Sequence, residues 1–400
     1  LRRLPIFLIY IFGKAYLSAL KKLGLIVNPI AGMGGRVGLK GSDGAAIQRR
    51  ARALGAVPRA QERARQALER LGPARDGVEI EIVTCPGEMG ADAARASGFE
   101  PSVIGVGSIT PGETTAEDTR RAARAMVRRG VDLLLFAGGD GTARDIYAAV
   151  GERVPALGIP AGVKIHSAVY AANPASAGDL AGAFLAGRVS RLREAEVMDI
   201  DEEAVRRGVV SARLYGYLQV PFERRMLQGL KTPTRPGERA AQQAIGAAVA
   251  RKMATDDCLY VVGPGTTTRA IAERLGVQKT LLGVDVFAKD ALVAADVNES
   301  QLLALLEEGR RARIVVTPIG GQGYIFGRGN QQISPRVIRR MGPEHILVVG
   351  TIDKIHALGG QPLLVDTGDR SLDQILIETL RGYVKVITGY HEQIVYRVAC

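Results

Sequence analysis

Leu133 to Ala137 is an unbroken apolar run that passes straight into Gly138-Gly-Asp-Gly-Thr142 and then into a helical stretch ending near Val150. A short continuous apolar run is the pattern of a strand covered on both faces, as in a parallel sheet with helices on either side. Gly138 and Gly139 remove side chains where the backbone must turn sharply and where a phosphate could approach bare N–H groups. Thr142 begins a segment whose free N–H groups and dipole favour an anion. Asp140 conflicts with that environment, because a carboxylate beside an anion site repels phosphate unless a metal ion or a transferable proton accompanies it. The blander account is a strand-to-helix turn capped by an aspartate.

The rest of the first half can be placed around this strand. Leu23 to Val27 is a first strand, ending in Asn28-Pro29 and a glycine-rich loop from Ile30 to Gly38. Gly32 and Gly34 open like a dinucleotide fingerprint, but Val37 stands in the place of its third glycine, which argues against an oxidoreductase of that kind. Val78 to Thr84, Ser102 to Val106 and Leu157 to Pro160 read as further strands. Helical stretches separate them, one started by Thr114 and Glu117 at capping-box spacing. This alternation predicts a doubly wound parallel sheet with ligands beyond the carboxyl ends of its strands, where Asn28, Gly105, Gly107 and Asp140 all fall. The loop after Pro160 carries Lys164 and His166; an ammonium suits a phosphate without tuning, whereas a loop histidine is as readily structural.

From about Arg191 the pattern changes. Residues 195–201 and 209–220 alternate as two strands of a hairpin. Asp257 to Thr268 then repeats the strand, glycine turn and helix start: Gly263 and Gly265 bracket the turn, and Thr266, Thr267 and Thr268 supply three hydroxyls where a plain N-cap needs one. Phosphate contacts are expected there too, since transfer between two phosphorylated molecules needs two anion sites. Strands are expected at 281–287, 313–318, 347–351, 363–366 and 384–387, with a glycine loop carrying Arg328, Asn330 and Gln331 between the second and third of them.

The Gly138 to Thr142 stretch resembles the GGDGT signature of the NAD kinase superfamily, which includes diacylglycerol and sphingosine kinases. Gly158 to Ser167 and Val262 to Ala270 resemble the narrower branch of ATP-NAD kinases that includes the acetoin-catabolism X proteins, over residues 24–398. The resemblance implies an α/β fold: an N-terminal extension at 1–22, a doubly wound nucleotide-binding domain at 23–190, and a second, strand-rich α+β domain at 191–400 whose C-terminal end could return to the first. In the superfamily that second domain is largely antiparallel. Lys231-Thr-Pro-Thr234 is similar to the TPTGSTAY motif of ordinary NAD kinases, but Arg235-Pro-Gly237 follows it.

The implied activity is transfer of a phosphoryl group from ATP or polyphosphate, with Mg²⁺, to the 2′-hydroxyl of the adenosine ribose of NAD. Asp140 would accept or orient the hydroxyl proton. Asn28, Gly32, Gly34, Gly35, Gly138, Gly139, Gly141, Thr142, Lys164, His166, Gly263, Gly265 and Thr266 to Thr268 would hold nucleotide or phosphate, and no metal ligand is singled out. Two alternatives stand beside this: a lipid or other small-alcohol kinase of the same fold, and a nucleotide-binding accessory protein without turnover. Lipid kinases carry Asn-Glu after GGDGT where this chain has Arg144-Asp145.

Composition narrows the partners. A formal charge of +12 and a pI near 9.8 suit polyanionic ligands. Arg49, Arg50, Arg52, Arg59, Arg63, Arg65, Arg70 and Arg75 are interleaved with alanines and acids, so solvated helix faces account for much of the excess. With no Trp and 5% aromatics, stacking platforms for single-stranded nucleic acid are sparse, and no nucleic-acid partner is expected. Three widely spaced cysteines offer no disulfide framework, which points to a cytoplasmic setting. Leu4 to Leu20 is apolar but interrupted by Gly13 and Lys14 and short of a span, so no stable membrane insertion is expected. A homo-oligomer is the expected assembly.

Overall fold

The computed structural model describes residues 20–39, 45–72, 74–75, 78–107, 112, 114–163, 165–200, 212–223, 226–227, 238–307, 310–319 and 321–400. Lys164, the 231–234 stretch and most of the N-terminal extension lie outside them.

Strands β1 (Lys21–Val27), β2 (Ala74–Arg75), β3 (Val78–Thr84), β4 (Ser102–Val103), β5 (Leu133–Gly138) and β6 (Ala156–Pro160) form the first sheet. The order is β4, β3, β1, β5, β6, all parallel, with β2 as a short antiparallel addition at the β3 edge. Every residue of β5 is buried, as its apolar run requires, and Leu25 and Val27 of β1 lie opposite Leu135 and Ala137. Helices α1 (Ala45–Ala53), α2 (Ala60–Leu71), α3 (Ala91–Ala96), α4 (Ala116–Arg129), α5 (Asp140–Val150) and α6 (Pro174–Leu185) accompany this sheet. The α2/α6 pair covers one face and the α4/α5 pair the other. The chain winds outward from β1 through β3 to β4, then returns to lay β5 on the other side of β1 and winds outward to β6. The direction reverses between β1 and β5, where an open α/β sheet leaves a crevice at its carboxyl edge.

Local chemistry shifts some boundaries. The capping box of α4 uses Thr115 and Asp118, one residue beyond the Thr114 and Glu117 pair: Asp118 Oδ2 accepts the Thr115 N–H at 2.8 Å, and Thr115 Oγ1 accepts the Asp118 N–H at 3.4 Å. Strand β7 (Leu192–Ile200) pairs antiparallel with β8 (Ala212–Pro221), the expected hairpin. Its buried residues Ala195, Val197, Leu218 and Val220 join the core of the first sheet.

After α7 (Glu238–Thr255), the second sheet contains β9 (Leu259–Val262), β10 (Asp285–Ala288), β11 (Ala291–Ala294), β12 (Ala312–Val316), β13 (Tyr324–Phe326), β14 (Ile346–Val349), β15 (Leu363–Val365), β16 (Tyr383–Ile387) and β17 (Gln393–Ala399). Their order is β11, β10, β9, β12, β14, β16, β17, β15, β13. Pairings along β9, β12, β14 and β16 are parallel, as are those joining β13, β15 and β17. The sheet is therefore mixed and not largely antiparallel. The chain permits this because helices α8 (Thr266–Arg274), α9 (Glu299–Glu307) and α10 (Pro335–Met341) supply the crossovers that parallel neighbours require. The strand expected from Leu281 begins only at Asp285. Lys279 Nζ donates to the carbonyls of Thr280 and Gly283 at 3.0 and 3.1 Å, and Asp285 accepts the Thr280 N–H and hydroxyl at 2.7 Å each, which keeps 279–284 a closed loop.

Candidate functional site

The turn after β5 and the loop after β1 meet at the carboxyl edge, at the reversal point of the first sheet. Asn28 donates its backbone N–H to Ala137 at 2.9 Å, and its Nδ2 donates to Thr142 Oγ1 at 2.9 Å. Two glycine positions are obligatory. Gly32 has φ +81°, and a Cβ there would stand 2.2 Å from the Ala161 carbonyl oxygen; a Cβ on Gly162 would stand 2.7 Å from the Gly139 Cα. Side chains at these places would push apart the loops after β1, β5 and β6.

Asp140 is the first residue of α5 and only 5% exposed. Its Oδ2 accepts the His166 backbone N–H at 2.7 Å and lies 3.2 Å from His166 Nδ1, while Oδ1 accepts the Ser167 N–H at 3.1 Å. The carboxylate thus holds the loop after β6 against the GGDGT turn, and brings together two residues that the sequence separates by a strand. The buried His166 Nε2 has no hydrogen-bond partner among the described residues. Tyr170 donates its hydroxyl to the Gly139 carbonyl at 2.5 Å; burial, then the charges of Asp140 and Asp199, hold that phenol well above its ordinary pKa.

Beside these loops a cleft of about 330 Å³ opens between the two sheets' domains. The bare backbones of Gly32, Gly35, Ala161 and Gly162 form one wall, and five guanidinium groups reach it: Arg36, Arg59 and Arg63 from the N-terminal domain, Arg328 and Arg336 from the C-terminal domain. Only Glu299 and Asp366 oppose them among the lining residues, and both are engaged. Asp366 lies 2.5 Å from Arg63 Nη1 and 3.0 Å from Arg328 Nη1, and Glu299 accepts the Ser334 hydroxyl. Burial opposes the Asp366 charge, but the two arginines hold its carboxyl below the usual carboxylate range. Burial, followed by repulsion from Arg36 and Arg63, lowers Arg59 to about 10. Burial is the larger cause, and the repulsion from Arg36 and Arg63 outweighs the pull of Asp366 and Glu62, so positive potential at Arg59 is only partly compensated, which is what an anionic ligand neutralises.

The sequence reading assigned Arg59 and Arg63 to solvated faces. The available signal was spacing: Arg63 falls on the buried stripe of α2 with Ala60, Ala64, Ala67 and Leu71, where an arginine is out of place unless paired. Its partner lies 303 residues away.

The second glycine turn is built differently. Gly265 has φ +126°, its N–H donates to Leu281 at 3.3 Å, and Thr268 Oγ1 donates to the carbonyls of Gly263 and Gly265 at 2.8 and 3.0 Å. Thr267 is fully buried and accepts from Lys354 Nζ at 2.8 Å. Thr266 is exposed, with Gln242 Nε2 at 3.3 Å. The cleft walls include neither this turn nor Asp140. A chain of contacts joins the two turns instead: Lys354 Nζ also reaches Thr317 Oγ1 at 3.4 Å, and in the segment after it Gln322 Nε2 donates to the Ile165 carbonyl at 3.1 Å, next to His166.

Among the described residues no group of three or more His, Cys, Asp or Glu side chains converges to hold a metal ion. With both Asp140 oxygens accepting from N–H donors, the described residues present no ready cage for the Mg²⁺ that the resemblance implies.

No curated protein matches the chain. Among solved structures, one assigned as a diacylglycerol kinase from Bacillus anthracis str. Sterne is 15% identical with a TM-score of 0.24; the match covers 60% of this chain and 58% of that one. Family models settle the membership: the ATP-NAD kinase N-terminal domain matches residues 23–189 and the ATP-NAD kinase C-terminal domain matches 255–398, so the chain belongs to the ATP-NAD kinase family.

Proposed function

We propose that this protein transfers a phosphoryl group from ATP or polyphosphate to the 2′-hydroxyl of the adenosine ribose of NAD, giving NADP. The observation that carries the reading is the five-arginine cleft walled by bare glycine-loop backbone, next to a buried carboxylate at the sheet's reversal point. Phosphoryl transfer needs alignment and charge neutralisation more than covalent chemistry from the protein. Backbone N–H groups and guanidinium forks meet both needs, and a cleft of this size has room for a nucleotide's phosphates and ribose. Arg36, Arg336 and Arg59, which also donates to the Gly368 carbonyl at 3.1 Å, would take the phosphate oxygens, while Arg63 and Arg328 are committed to Asp366 and fix the cleft's shape. Asp140, with His166 against it, handles the hydroxyl proton.

The test is turnover by the purified full chain with ATP or polyphosphate as donor and NAD, diacylglycerol or sphingosine as acceptor. NADP formation is the expected result. A phosphorylated lipid in its place would move the acceptor class, and nucleotide binding without turnover on any alcohol would make the protein an accessory factor.

A further inference from the structure

We propose that Asp140 acts through His166: the imidazole Nε2 takes the proton from the acceptor hydroxyl, and Asp140 is the positioning residue that sets the ring's tautomer and angle. This rests on the phosphotransferase reading above.

The geometry separates the two roles. A carboxylate has about four acceptor positions. Asp140 uses three of them on His166 N, His166 Nδ1 and Ser167 N, and it is enclosed by α5 and the loop after β6. Proton uptake by Asp140 at its one remaining position would turn the charged acceptor of those three bonds into a weaker neutral one. The imidazole faces no such conflict. A carboxylate only accepts, so Nδ1 carries the hydrogen in the 3.2 Å contact, and in the neutral ring Nε2 is then the lone-pair nitrogen. That nitrogen is buried and without a partner among the described residues. An acceptor left without a donor inside a protein is costly; a substrate hydroxyl donating to it removes the cost at the moment of binding. The preceding residue, Ile165, is bonded by Gln322 of the facing domain, so the ring sits where the two domains close.

The step balances. The acceptor oxygen forms a bond to the terminal phosphorus of a phosphoanhydride donor, the bond from that phosphorus to the leaving oxygen breaks with its electron pair, and the hydroxyl proton moves to Nε2. The resulting imidazolium is stabilised by the Asp140 carboxylate and is discharged to water after product leaves. A base oriented by a third group is the general arrangement for activating a weak nucleophile.

Two measurements on the full chain test this. In ¹⁵N-histidine-labelled protein, the His166 signals, assigned by their loss in His166→Gln, should show a protonated Nδ1 and a pyridine-like Nε2, and should change in Asp140→Asn. The opposite tautomer in the wild type would overturn the proposal without any assay of turnover. In kinetics, His166→Gln should lower kcat roughly 10²–10⁴-fold, the range for a positioned acid–base group, with KM for donor and acceptor within about threefold. A kcat for His166→Gln within threefold of wild type, while Asp140→Asn is inactive, would return the base role to Asp140. If the wild-type chain phosphorylates no alcohol, the phosphotransferase reading fails, and the tautomer measurement still decides whether the dyad exists.

Discussion

The molecule contains two glycine turns that lead from a buried parallel strand into a helix, and they spend their polar side chains in opposite ways. After β5, Asp140 reaches across to another loop and holds an imidazole whose Nε2 has no partner among the described residues. After β9, Thr268 folds back on its own turn and Thr267 is bonded to Lys354. The first turn stores unmet hydrogen-bonding capacity and the second satisfies its own. Glycine spacing alone does not distinguish an anion site from a well-made turn; the difference lies in which polar atoms remain available after folding.

The largest expected effect comes from breaking the first turn's chemistry without its fold. Asp140→Asn should lower turnover roughly 10²–10⁴-fold, with circular dichroism close to wild type and melting lowered by the equivalent of about 1–3 kcal/mol, because the amide fills the space but its NH2 faces one of the N–H groups that Asp140 accepts. Wild-type turnover would remove the residue from the reaction.

Next in size is the cleft. Arg59→Ala should weaken binding of a phosphorylated ligand about 10–100-fold, the equivalent of one charge-assisted hydrogen bond of about 1.5–3 kcal/mol. Raising the salt concentration should shrink the difference. Titration calorimetry with ATP at low and high salt reads both quantities. An unchanged affinity would mean the phosphates lie elsewhere.

The second turn should respond in stability. Thr268→Ala removes two hydrogen bonds from a fully buried hydroxyl and should cost about 1–2 kcal/mol in denaturant unfolding. Ligand affinity should be unaffected. Thr266→Ala reverses this pattern if the turn holds phosphate, since Thr266 alone of the three is exposed. Equal affinities for both variants and wild type would make the turn a fold element and leave one phosphate site assigned.

The smallest effect concerns acids beside the cleft. Burial, against the pull of its Thr367 hydrogen bonds, raises Asp373 to about 6 from 3.8, whereas Asp366 is held low by its arginines. Their signs are opposite. A raised carboxyl contributes stability below the unfolded-state value that is lost as pH rises through about 6. Asp366 contributes stability above the usual carboxylate range, lost as pH falls through its lowered value. Asp373→Asn should therefore melt a few degrees higher than wild type at pH 7.5, with the gap closing as pH falls from about 6 towards 4. A gap that does not vary with pH would remove burial of the charge as its cause.

Much of the first domain was legible because its signals are local. Val78 to Thr84 alternates and forms β3 as read, and the run before Gly138 forms β5. The second sheet was harder: six of its nine strands were expected and β11, β13 and β17 were not, and parallel or antiparallel pairing depends on where crossover helices pack, which short apolar runs do not carry. The arginines were misread for a related reason. On a helix, a guanidinium that is solvated and one aimed at a carboxylate hundreds of residues away have the same neighbours in sequence.

The sequence by itself determined that a buried strand, a glycine turn and a helix start would put Asp140 at the edge of a parallel sheet. Strand period, apolar runs and glycine's backbone freedom act over a few residues and survive without knowledge of the rest. Only the tertiary structure decided that β1 and β5 flank the reversal point, that Asp140 meets His166, and that arginines from both domains converge on one cleft. Those contacts join segments far apart in the chain, and their energies come from burial and from charge pairs that exist only once the two domains are packed.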